Sequence, residues 1–230
     1  MSEATAKPLL ICEKLHLLLL DASGGLQTVP AYRAYGETAA LLVDLASCNG
    51  VAIAKGDPPV LTARQDVNAP AHPVLRAGWA ALKEIGSDSF AQLIQRPELD
   101  PEITVVESLR AHRLLEPTEH AVLGFHFNRD AVIDATPKEQ LLTRLVNVIA
   151  GSQRATVQDL TLLALVNATA DARRVLGPEM RTMTQEQFSQ RMRDLHTETL
   201  SADAVSDAVH RLALSTIAAV IMPTSISGVL

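Results

Sequence analysis

The chain has 230 residues, a formal charge of −6 and a pI near 5.6, with 47% apolar and 20% charged residues. That is ordinary globular usage, long enough for a substantial core without staples, and its acidic balance argues against general nucleic-acid binding. Aromatic residues are only 3%, so the core must come from Leu, Val, Ile and Ala, which favours helices over a large sheet.

The opening stretch LLICEKLHLLLLDASGG, residues 9–25, is very apolar and then stops. Glu13, Lys14 and His16 interrupt it, so it has neither the uniform centre of a secretory signal nor the roughly 20 apolar residues of a membrane span. Ile11, Leu15, Leu18 and Leu19 recur at helical spacing, and Gly24 and Gly25 end the pattern. A short first helix, buried nearly all round, is expected. Residues 32–48 form a second helical pattern, closed by Asn49 and Gly50. Short strands over 51–54 and 60–63 flank a Pro-rich turn, and 66–73 reads as a loop. Helices follow over 74–85, which carries the only tryptophan, Trp79, and over 87–95, capped by Ser87 or Asp88. A longer helix over 101–115 takes Asp100 as its cap and Pro101 in its first turn. Residues 114–127 then read as a β-hairpin. Further helices are predicted over 137–149 with Thr136 as cap, 156–175, 184–195 and 202–222. The boundaries are a flexible 1–8, one domain over 9–223, and a loose tail over 224–230.

Few residues point to chemistry. Cys12 and Cys48, the only cysteines, both fall in apolar stretches and read as buried, reduced thiols. The seven histidines lack the close spacing of a zinc site. No glycine-rich phosphate loop occurs, and Gly86–Ser87–Asp88–Ser89 lacks the second glycine of a nucleophile elbow. No catalytic residue, cofactor or metal ligand is therefore expected, and the chain does not read as an enzyme. Residues 138–193 hold eight Lys/Arg against five Asp/Glu, a modest basic region suited to an anionic surface or simply to a solvated helix face. The helix over 101–115 with its hairpin has the order of a winged-helix unit, with Arg110 and Arg113 on the helix. DNA binding by that unit is a lesser alternative, opposed by the acidic surroundings.

The order of these segments resembles the Golgi phosphoprotein 3 family. The opening stretch is similar to that family's L-T-L-x-E-E-L-L-L-L-x-L-D-x-x-T-G signature, with Leu9, Ile11, Glu13, Leu15, Leu17, Leu18, Leu20, Asp21 and Gly25 in register. GETAALLVDLASCNGVAI (36–53), VVESLRAHRLLEP (105–117) and TVQDLTLLALVNATADARRVLG (156–177) resemble later family segments. Asp44, Leu45, Ala46 and Gly50 fall in the places that match the second. Each segment is mostly leucine and alanine, and it is their order and spacing that carries the likeness.

The resemblance implies a mainly α, single-domain helical bundle with short β-hairpins. It also implies a peripheral membrane protein binding anionic phospholipid head groups, in eukaryotic members phosphatidylinositol 4-phosphate, with adaptor duty towards glycosyltransferases. The shorter bacterial type is the nearer likeness. The family's phosphate pocket of one tryptophan and three arginines aligns with Val29, Thr38, Leu99 and Glu102, none of them basic. Ala71–His72–Pro73 replaces its T-G-D loop, and residues 1–8 carry one lysine where eukaryotic members have an arginine-rich arm. Tyr32, Arg33 and Arg96 lie within about a helical turn of the pocket positions and are the candidate lipid-binding residues. Val122, Leu123, Phe125 and Phe127 of the hairpin are candidates for membrane contact or self-association into a homo-oligomer. The expected location is cytoplasmic, peripheral on the cytoplasmic membrane face. The competing reading is a protein-interaction scaffold or adaptor without lipid binding.

Overall fold

The first predicted helix is α1, Ile11–Leu19, and the rest of the molecule is arranged around it. In the computed structural model, residues 8–21, 23–54, 59–122 and 125–200 are described. The helix predicted over 202–222 and the two terminal segments, apart from Pro8, lie outside them. Leu15, Leu18 and Leu19 are fully buried, and each such side chain contributes roughly 1.5–3 kcal/mol of transfer free energy. Against α1 pack α2 (Pro30–Ser47) and, later in the chain, α7 (Val157–Thr169). Two carboxylates serve the start of α1. Glu13 Oε2 accepts from the Leu10 amide at 2.8 Å, and Asp44 of α2 accepts from the Ile11 and Cys12 amides at 3.1 Å each. These satisfy donors that a helix N-terminus leaves orphaned. Glu13 is thereby fully buried, although beside Lys14 it reads as part of a solvent face.

Strands β1 (Val51–Ala54) and β2 (Val60–Ala63) pair antiparallel, Val51 opposite Ala63. After α3 (Pro73–Ile85), the helix predicted over 87–95 is corrected. Asp88–Ser89 is a third strand, β3, paired with Leu61 and Val60, and only one helical turn, α4 (Phe90–Leu93), follows. Gly86 at φ +91° turns the chain back onto the sheet edge, and the Phe90 amide donates to the Pro59 carbonyl at 2.8 Å. A 3-10 turn, Pro97–Leu99, leads into α5 (Glu102–Ala111). This helix ends four residues before the predicted limit, because Arg113 takes φ +58° and the Leu114 amide closes on the Leu109 carbonyl at 3.0 Å.

The hairpin is longer than its sequence pattern indicates: β4 (Leu115–Val122) pairs with β5 (Phe125–Val132) throughout. Helix α6 (Thr136–Ile149) includes Thr136, the predicted cap, with Ala135 in the cap position instead; α7 starts one residue later than predicted, with Thr156 as its cap, reciprocated by Asp159. The single helix predicted over 156–175 is two. Ala170 is extended, and the Asp171 side chain accepts from the Arg173 amide to start α8 (Ala172–Val175). A 3-10 turn, Pro178–Thr182, and α9 (Gln185–Leu200) complete the described chain. The fold is mainly α, one helical bundle carrying a three-stranded sheet and a separate hairpin. Cys12 is buried as expected, but Cys48 is exposed at the C-cap of α2, its thiol directed at the Leu45 carbonyl at 3.3 Å. The buried run of α2 ends at Leu45, three residues before it.

Candidate functional site

Pro30 starts α2, where a missing amide proton does no harm. Tyr32 and Arg33 therefore lie in the first turn, with opposite fates: Tyr32 is 39% exposed and Arg33 only 4%. The Arg33 guanidinium grips Asp100 through both nitrogens, at 2.8 and 2.9 Å. It also reaches Glu37 Oε2 at 3.0 Å and Glu102 Oε2 at 2.9 Å. Glu37 is fully buried, and its other oxygen lies 2.8 Å from Nδ1 of His16, on α1. Burial works against the charged guanidinium, but the hydrogen bond to Asp100 and the charges of Glu37, Asp100 and Glu102 outweigh it and push the Arg33 pKa up. Burial likewise opposes the Asp100 carboxylate, and Arg33 holds its pKa below the ordinary value. The arrangement clamps α1, α2 and the start of α5 together. An incoming phosphate would have to displace Asp100 and Glu102 and would then face Glu37.

Arg96 does not join Arg33. It immediately precedes the 3-10 turn that delivers Asp100, but its own guanidinium lies 3.2 Å from Asp88 of β3. Tyr32, Arg33 and Arg96 thus occupy one neighbourhood without forming one basic patch, because each arginine has its own carboxylate. The Arg33–Glu37 half was legible as an i,i+4 pair. The Asp100 half was not, since 67 residues separate the partners. Asp100 also accepts from the Glu102 amide at 3.1 Å, although α5 starts at Glu102 and Pro101, not Asp100, holds the cap position.

The same end of the molecule is apolar outside. Among the described residues the exposed large apolar side chains are Leu26, Val29, Tyr32, Ile103 and Ile133. The first three belong to the approach and first turn of α2, and Ile103 follows Glu102, which holds Arg33. That approach is fixed in place: the Gln27 amide donates to the Leu19 carbonyl at 2.8 Å, and the Thr28 hydroxyl donates to the Thr169 carbonyl. Arg174 donates to the Gln27 carbonyl at 3.0 Å.

In the hairpin, Val122 and Phe125 pair across its end and Phe127 lies opposite His120. Leu123 lies outside the described residues. The base is held by Arg110, which grips Asp130 at 2.7 and 3.0 Å. Arg113 is exposed at the end of α5. The arginine face of the winged-helix reading is therefore open, with Arg110 already matched to a carboxylate.

The match to known families decides what this arrangement belongs to: the family model of Golgi phosphoprotein 3 (GPP34) matches residues 11–212. The chain belongs to the Golgi phosphoprotein 3 family. A search of curated proteins finds no match. Of the four positions that the resemblance aligns with the phosphate pocket, Thr38 and Leu99 touch. The Thr38 hydroxyl donates to the Leu99 carbonyl at 3.4 Å, Glu102 is on Arg33, and Val29 caps α2 with 56% of its surface exposed. No helix among the described residues is long and apolar enough to cross a membrane.

Proposed function

We propose that the chain is a non-catalytic peripheral membrane protein that meets anionic lipid head groups with the N-terminal end of α2. The observation that carries this reading is the gathering of Leu26, Val29, Tyr32 and Ile103, four of the five exposed large apolar residues described, at one end of a family member. Scattered apolar residues need no explanation, but a cluster beside arginine fits the boundary between head groups and acyl chains. The resemblance names phosphatidylinositol 4-phosphate as the lipid, and the expected place is the cytoplasmic membrane face.

Co-sedimentation with vesicles of phosphatidylcholine alone, or containing phosphatidylserine or phosphatidylinositol 4-phosphate, tests this at low salt. Binding to the anionic vesicles, reduced at least tenfold by Val29→Ser with Tyr32→Ser, is expected. Absence of binding to either anionic vesicle would remove the reading. The carboxylates that hold Arg33 favour a second reading, a scaffold that recognises proteins and no lipid. Analytical ultracentrifugation and pull-down then show self-association or a partner where vesicles show nothing.

A further inference from the structure

The geometry points to Arg173, Arg174 and Arg181 as the head-group contact of this membrane-facing end, selecting anionic glycerophospholipids by charge density. This rests on the peripheral-membrane reading above and adds the residues and the class of lipid. The three arginines lie on α8 and the 3-10 turn after it, which pack on each other. Arg174 and Arg181 are exposed. Arg173 reaches the Met183 carbonyl at 3.5 Å, spanning that turn, and its Nε lies 3.6 Å from Asp171. Arg174 is bonded to Gln27, between Leu26 and the exposed cap residue Val29. One cation is thus tied to the backbone that presents the exposed apolar side chains, an arrangement suited to a surface that dips into the head-group layer.

Residues 171–182 hold these three arginines against Asp171 and Glu179, a local positive excess on a chain of charge −6. Asp171 is committed to capping α8, accepting from the Arg173 amide at 3.1 Å, with its side chain 53% exposed. Arg33 already has Asp100, Glu37 and Glu102, and Arg96 has Asp88. Exposed arginines spread over a short helix and a turn offer charge without a fixed bidentate cradle, so no phosphate stereochemistry is read.

The test uses the full chain and vesicles of phosphatidylcholine mixed with phosphatidylglycerol or with phosphatidylinositol 4-phosphate, matched in surface charge. Wild type is expected to bind both within about threefold, and more weakly as salt rises. An arginine near an anionic surface is worth about fivefold in partitioning, so Arg173→Gln with Arg174→Gln and Arg181→Gln should lose at least about tenfold on both vesicles. The corresponding three lysine substitutions should keep most of the binding, which separates lost charge from a displaced 26–29 loop. Thermal melts of both variants check the fold. If the glutamine variant binds like wild type while Val29→Ser with Tyr32→Ser does not, the arginine assignment falls and the peripheral reading stands. A preference above tenfold for phosphatidylinositol 4-phosphate at matched charge also overturns it. Failure of wild type on every anionic vesicle removes both.

Discussion

Replacing Arg33 by methionine separates a structural clamp from a lipid ligand. The substitution keeps most of the side-chain volume and removes the cation. Asp100 and Glu102 retain 26% and 44% side-chain exposure and can relax towards water, whereas Glu37 has none and keeps only His16. Breaking a buried ion pair from one side costs about 3–5 kcal/mol, chiefly as an uncompensated buried charge. With Glu37 as the stranded group, a loss of about 3 kcal/mol is expected, or roughly 6–12 °C in the melting temperature of a chain of this size. Arg33→Met combined with Glu37→Gln should recover about 2 kcal/mol, since the buried charge leaves with its partner. Urea titrations of wild type, both single variants and the double variant supply the cycle. A loss below about 1 kcal/mol in Arg33→Met, together with lost vesicle binding, would refute the clamp and return Arg33 to the list of ligands.

Asp44 gives a pH dependence opposite in sign to that of most paired carboxylates. Burial outweighs the two amide hydrogen bonds and pushes its pKa up to about 6 from 3.8. The folded state therefore binds the extra proton, and this group's contribution declines as pH rises from about 4 to about 6. The gap corresponds to about 3 kcal/mol. Denaturation curves should show wild type losing stability relative to Asp44→Asn over that window, and parallel pH profiles would contradict the assignment. Gly24→Ala should cost about 2–4 kcal/mol, read by thermal melting. Its φ is +77° and a Cβ there would lie 2.0 Å from the Asp130 carbonyl oxygen at the base of the hairpin. Thiol labelling should proceed in two steps, Cys48 in the native protein and Cys12 only on unfolding. Cys12 is fully buried, and its pKa is raised by burial and then by the charges of Asp44, Glu13 and Glu37. Equal labelling rates would contradict that placement.

The fold was largely legible because its helices announce themselves locally. The leucines of α1, the Thr156 start and the glycine-bearing stops act over a few residues, and tertiary packing agrees with them, although α2 starts at Pro30, two residues before the predicted limit. The errors fall where a contact distant in sequence takes over. Asp88 and Ser89 carry helix-cap chemistry, yet the free edge of β2 recruits them into a strand. Asp171 sits inside an apolar helical run, yet its side chain recaps the chain and divides that run in two. Glu13 reads as solvent-facing until the orphaned Leu10 amide gives it a buried partner.

The site was harder to read for a related reason. A sequence scan for phosphate binding counts arginines, but an arginine binds phosphate only if the fold leaves its charge unspent. Glu102 reads as an acid that would repel a phosphate, and the structure shows where that charge goes, onto Arg33 beside Asp100. The acids that signal a helix start thus neutralise the cation nearest the pocket, and neither fact implies the other in sequence. If this member meets a bilayer, the positive charge has to come from arginines that the core does not consume. Arg174 is bonded to the loop that presents Leu26 and Val29, so the place to look for that charge is the approach to α2 and not the buried guanidinium of Arg33.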